Sequence, residues 1–128
     1  MYKKKILLID DEEDFCRLVK MNLELIGNFE VNSATNGKQG LKLAKKLKPD
    51  LILLDIMMPG INGFEVLERL KKDQDTVQIP VVMLTAKEDE PSKIKASELY
   101  DELYLTKPIE APDLKAKIDE ILKMRGVG

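Results

Sequence analysis

Short apolar runs of strand length alternate along this chain with stretches in which apolar residues recur every three or four positions. Ile6-Leu7-Leu8-Ile9, Leu51-Ile52-Leu53-Leu54 and Val81-Val82-Met83-Leu84 are almost continuously apolar, and Leu103-Tyr104-Leu105 is a shorter run of the same kind. Strands of a parallel sheet read this way because helices cover both of its faces. Phe29 to Ala34 alternates instead, as an edge strand with one wet face does. Between these runs the period is helical: Phe15, Leu18, Val19, Leu23 and Ile26, with Gly27 as a stop; Leu41, Ala44 and Leu47; Phe64, Leu67 and Leu70; Ala111, Leu114, Ile118, Ile121 and Leu122. Asn36-Gly37 has the composition of a hairpin turn, but the helical period that follows makes it a helix start. A further helix from about Pro91 to Leu99 is expected, with a thin apolar stripe of Ile94 and Leu99. The pattern predicts one α/β domain over residues 1–128, with strands near 4–9, 29–34, 51–54, 80–84 and 102–105. Five βα units in this order imply a doubly wound five-stranded parallel sheet of flavodoxin-like type with right-handed crossovers.

In an open sheet of this kind the ligand crevice lies just outside the carboxyl ends of the strands. Asp10 and Asp11 follow the first run, Asp55 the third, Thr85 the fourth, and Lys107 the last. Each has an ordinary explanation when taken singly. Acidic residues at a helix start are favoured by the backbone dipole, Asp55 and Thr85 suit caps, and Lys107 suits a surface. Their coincidence at strand ends that the fold gathers points to chemistry. Two carboxylates ~4 Å apart repel by about 4 kcal/mol at an effective dielectric of about 20, so such a cluster binds a cation, takes up a proton or finds an ammonium. Mg2+ takes one or two carboxylates together with waters and substrate phosphate, and a carboxylate nucleophile forms an aspartyl phosphate.

Composition narrows the function classes. The chain has 128 residues, 44% hydrophobic and 34% charged, with a net charge of -2. That balance argues against a dedicated basic nucleic-acid surface, so no direct nucleic-acid binding is expected, and Lys3-Lys4-Lys5 reads as a solvated strand edge. The absence of histidine excludes imidazole metal sites and histidine acid-base catalysis, so any phosphohistidine belongs to another chain. The single Cys16 precludes an internal disulfide and reads as a small core residue. No apolar stretch approaches the ~20 residues of a membrane span and no signal-peptide pattern opens the chain, so a cytoplasmic location without membrane contact is expected.

The stretches Ile6-Leu7-Leu8-Ile9-Asp10-Asp11-Glu12, Leu53-Leu54-Asp55-Ile56-Met57-Met58-Pro59-Gly60, Leu84-Thr85-Ala86-Lys87 and Leu105-Thr106-Lys107-Pro108 resemble, in order and spacing, the receiver domain of two-component response regulators. The resemblance covers nearly the whole chain. It implies a switch, not a metabolic enzyme, in which Asp55 accepts a phosphoryl group from a sensor histidine kinase or a histidine phosphotransfer protein. It further implies that Asp10, Asp11, Asp55 and the Met57 carbonyl hold Mg2+, and that Thr85 holds a phosphoryl oxygen. Lys107 would pair with Asp55 and later with the phosphate, and the Lys107-Pro108 bond is expected to be cis. Tyr104 matches the family's switch aromatic. It would move from a more exposed to a more buried rotamer, reshaping the surface of the last two helices and last strand for a downstream effector or output domain.

Tyr100-Asp101-Glu102 stands where Gly-Ala-Asp is common in the family, and Ile109 where an aromatic is, which bears on partner choice and dimerisation by that face. Met57 and Lys87 flank the expected site; the resemblance implies positions that can tune water access to the phosphate, and ordinary loop residues are the alternative reading. A haloacid-dehalogenase-like phosphatase or phosphotransferase would place an Asp-x-Asp pair on the first strand, whereas the acids here are adjacent and Asp55 stands alone on the third. A nucleotide binder would need a Gly-rich phosphate loop where this chain has Asp10-Asp11-Glu12-Glu13-Asp14. A receiver-like interaction module that has lost phosphorylation is disfavoured by Asp55, Thr85 and Lys107.

Overall fold

The computed structural model describes residues 2–86 and 103–124. Five strands, β1 (Lys4–Ile9), β2 (Phe29–Ala34), β3 (Leu51–Asp55), β4 (Val81–Ala86) and β5 (Leu103–Lys107), form one sheet in the order β2-β1-β3-β4-β5, parallel throughout. The doubly wound architecture is the one that the alternating pattern implies. The alternating run becomes the edge strand β2, and the most apolar runs lie inside. Four described helices, α1 (Glu13–Ile26), α2 (Gly37–Leu47), α3 (Gly63–Lys72) and α4 (Ala111–Met124), flank the sheet. The expected helix at Pro91–Leu99, with Lys87 and Tyr100-Asp101-Glu102, lies outside the described residues.

Alternate residues of each strand serve opposite faces. Ile6, Leu8, Leu53, Val82, Leu84 and Leu105 pack with α1 (Cys16, Val19, Leu23) and α4 (Leu114, Ile118, Leu122). Leu7, Ile9, Ile52, Leu54 and Met83 pack with α2 (Ala44) and α3 (Val66, Leu67, Leu70) on the other side. The α1 stripe is narrower than its sequence suggests, because Cys16, Val19 and Leu23 line the core while Leu18 is 56% exposed. Leu18 lies about 100° around the helix from Val19 and falls off the buried arc.

Local signals set the helix starts nearest the site. The Asn36 side chain accepts from the Gln39 amide and caps α2, which removes the hairpin alternative. Asn62 and Glu65 form a reciprocal capping box at α3. The Gly63 amide donates to the Ile56 carbonyl at 2.8 Å, drawing the loop after β3 against the helix start. A Cβ at Gly63 would lie 2.4 Å from the Asp55 carbonyl oxygen, so only glycine permits this approach. No described helix is long and apolar enough to cross a membrane.

Candidate functional site

Strand ends bring the candidate residues to one rim. Asp55, Thr85 and Lys107 are themselves strand residues, in a register that pairs Asp55 with Leu84, Thr85 with Thr106 and Ala86 with Lys107. The strands therefore run slightly beyond the apolar segments that announce them. Asp10 follows β1 directly, and its amide continues the ladder by donating to Ala34 O at 3.0 Å. The side chains thus hang from hydrogen-bonded backbone, which fixes their spacing.

Asp10 is fully buried and Asp55 only 6% exposed. Asp10 Oδ1 accepts from the Glu12 amide at 3.0 Å, and its main-chain oxygen accepts from the Cys16 thiol at 3.3 Å. The other carboxylate oxygen, Oδ2, is buried without a donor in hydrogen-bonding geometry, although the Lys107 ammonium approaches it at 2.6 Å. Lys107 also lies 3.1 Å from Glu12 Oε1 and 3.7 Å from Asp55 Oδ1, and it sits over the Phe15 ring at 4.4 Å from the centroid. Asp10 is thus the closest partner of the ammonium, and the pair with Asp55 that the resemblance implies is present at the longer distance. The Lys107-Pro108 bond is cis, as expected.

Electrostatics follow from this packing. Burial, reinforced by the charges of Asp10, Asp11 and Glu12 and opposed by Lys107, pushes the Asp55 carboxyl up to about 7. Burial likewise raises Asp10, with Lys107 and the Glu12 amide pulling the other way. Burial alone would lower the Lys107 ammonium, but the Asp10, Asp55 and Glu12 carboxylates outweigh it and hold the group above its ordinary value. Asp10, Asp11 and Asp55 each offer a carboxylate oxygen, and these atoms lie within 4.8 Å of one another. A donor set of three carboxylates, all hard oxygen ligands, suits a hard divalent cation.

Thr85 is buried, and its hydroxyl donates to the Ala86 carbonyl at 3.0 Å. Reaching an oxygen held at Asp55 requires that bond to be given up. Tyr104 is half-buried against the α2–α3 side of the core with its hydroxyl enclosed, a more inward resting place than the sequence suggested. The Met57 side chain is exposed beside the rim. Two residues near Lys107 were absent from the expected site: Glu12, signalled by a third consecutive acid, and Phe15, which reads only as part of a helical stripe.

A family model described as response regulator receiver domain matches residues 6–119. The phosphate regulon transcriptional regulatory protein PhoB of Pseudomonas aeruginosa is 41% identical over 128 residues, which make up 100% of this chain and 56% of PhoB. The DNA-binding dual master transcriptional regulator RpaA of Synechocystis is 41% identical over 119 residues, 93% of this chain and 49% of RpaA. The chain spans about half the length of these curated relatives. A solved response regulator receiver domain protein from Clostridium thermocellum superposes with a TM-score of 0.87 at 31% identity, covering 97% of this chain and 98% of that one.

These relatives correct one expectation. The net charge of -2 led to the exclusion of direct nucleic-acid binding, yet both relatives are named as transcriptional regulators and one as DNA-binding. The charge of the aligned region carries no information about the other half of such proteins. The same relatives are regulators, not metabolic enzymes. With a family match over most of its length and relatives of this identity, the chain belongs to the response regulator receiver domain family.

Proposed function

We infer that this chain is the phosphoacceptor switch of a two-component phosphorelay and that Asp55 is the residue phosphorylated. The observation that carries this reading is the placement of Asp55. It is a buried carboxylate at the end of the central strand, among two further acids, with an ammonium 3.7 Å away. A carboxylate oxygen of Asp55 forms the new bond to phosphorus as the donor's P–N bond breaks, and the electron pair leaves with the imidazole of a phosphohistidine. With an acyl phosphate donor the P–O bond breaks and the carboxylate departs with the pair.

Asp10, Asp11 and Asp55, with the Met57 carbonyl, are the residues that would hold Mg2+. When bound, the ion supplies charge neutralisation and a fixed template for the phosphoryl oxygens. Lys107 offers its ammonium to one phosphoryl oxygen, and the Thr85 hydroxyl turns from the Ala86 carbonyl to another. Phosphoryl transfer needs little beyond such positioning and charge. The added group carries nearly two negative charges and three acceptor oxygens, enough to draw the β4 end toward Asp55 and to repack Tyr104. The donor would be a sensor histidine kinase or a histidine phosphotransfer protein. The readout would be an effector or output domain, for which the relatives suggest transcriptional regulation. We place the receiver domain over residues 1–128 and the protein in the cytoplasm.

Incubation with acetyl phosphate and a magnesium salt should add a single phosphoryl mass that is labile to hydroxylamine. Asp55→Asn should abolish it, and undiminished labelling of that variant would defeat the assignment.

A further inference from the structure

Resting on this reading of the site, we propose that Phe15 is a positioning residue for Lys107, its ring forming the apolar side of the seat that keeps the ammonium within reach of Asp55. The side chain of Lys107 is only 15% exposed, and its charged end meets four neighbours: Asp10, Glu12, Asp55 and the Phe15 ring. Three of these attract it by charge, and two of the three belong to the acidic cluster that suits a cation. A divalent ion among Asp10, Asp11 and Asp55 would neutralise the attraction of Asp10 and Asp55 for the lysine and repel the ammonium directly. Glu12 would then compete for Lys107 from the exposed rim and draw it outward.

The ring behaves differently. Its attraction for a cation comes from the quadrupole of the π-system, which neutralisation of the carboxylates leaves intact. Phe15 stands in the first turn of α1 and packs against the core that holds Cys16, Leu105 and Leu114, so the ring is fixed by the fold. Lys107 is fixed at its other end by the last position of β5. The contact thus ties the start of α1 to the end of β5 at the one point where the ammonium must stay. A leucine here would fill much of the volume, cover the same apolar surface and lack the quadrupole.

The test compares wild type with Phe15→Leu, Phe15→Tyr and Lys107→Ala, using acetyl phosphate so that no partner protein is involved. Two-dimensional NMR of the lysine Cε protons, assigned by loss of the signal in Lys107→Ala, reads the seat without phosphorylation. Wild type should show the upfield ring-current displacement of a methylene held over an aromatic face, with and without magnesium. Phe15→Leu should lose that displacement and phosphorylate about 3- to 10-fold more slowly, the rate equivalent of ~0.7–1.4 kcal/mol. Phe15→Tyr should restore both, and the magnesium affinity should be the same in all three chains that retain Lys107. Equal labelling rates for wild type and Phe15→Leu, or equal losses in Phe15→Leu and Phe15→Tyr, would overturn the positioning role. A wild type that takes up no phosphoryl group would overturn the reading of the site and the positioning role with it.

Discussion

Removing the charge of Asp55 should stabilise the protein, and by an amount that depends on pH in a defined direction. On folding, the carboxyl rises from 3.8 to about 7, a difference of about 3 units, because it is buried beside Asp10, Asp11 and Glu12 with Lys107 only partly compensating. At about 1.4 kcal/mol per unit, the ionised form costs the native state up to ~4 kcal/mol relative to the protonated one. The folded state holds the proton more tightly than the unfolded chain does. Stability from that proton is therefore complete below about pH 4 and is lost as pH rises through about 7. An asparagine side chain in place of Asp55 would have nearly the same shape and no charge, while Lys107 would keep Asp10 and Glu12 as partners. Relaxation at a site open on its rim trims the effect, leaving an expected gain for Asp55→Asn of about 2–3 kcal/mol near pH 8 and close to none near pH 4. Urea unfolding followed by far-UV circular dichroism, in chelator to exclude divalent ions, measures both limits. The wild type should lose stability across that range while the variant stays flatter, its residual slope coming from the raised Asp10. A variant less stable than wild type near pH 8, or an equal difference at both limits, would refute the electrostatic account.

Magnesium should reverse the same strain: at a free concentration about 100 times its Kd it adds ~2.7 kcal/mol by mass action, and an unaltered response in Asp11→Ala would exclude the acidic cluster as the site. Gly63→Ala forces a Cβ against the Asp55 carbonyl oxygen and the Ile56 backbone. It should cost about 1–3 kcal/mol and displace the Asp55 amide resonance, an outcome that a purely local helix effect would not produce. Beryllofluoride, as a phosphoryl mimic, should shift the NMR signals of both Thr85 and the Tyr104 ring, and changes confined to Asp10, Asp11 and Asp55 would remove Thr85 and Tyr104 from the switch.

The strands were legible because burial on both faces demands unbroken apolar runs, and the edge position of β2 was legible because one wet face imposes alternation. The start of α2 was legible once helical period was weighed against a two-residue turn motif, and the Asn36 cap agrees. Strand ends also located Asp10, Asp55, Thr85 and Lys107, since a parallel sheet delivers its carboxyl ends to one rim. Less accessible was which carboxylate Lys107 would choose. Asp10, Glu12 and Asp55 stand 2.6, 3.1 and 3.7 Å from the ammonium, and an order so closely spaced is set by rotamers, not by sequence spacing. Glu12 meets Lys107 across 95 residues of chain through the register of β5, which no local pattern encodes. Phe15 has the same difficulty, for a ring on an amphipathic helix reads as core whether or not a cation rests on it. The exposure of Leu18 depends on the width of the buried arc, which a list of apolar positions overstates.

The thiol that donates to the Asp10 carbonyl has a practical consequence. Cys16 is the sole cysteine of the chain and is 3% exposed, with a pKa pushed up to about 11 by burial and by the neighbouring Asp10 charge. A thiolate-seeking reagent finds neither access nor the reactive form in the native state. Modification must therefore wait for the start of α1 to come away from β1, so its rate under fast reclosing counts the openings of the region beside the acidic pair. The protein carries its own clock for that event, one that cations at the rim should slow and that needs no engineered probe.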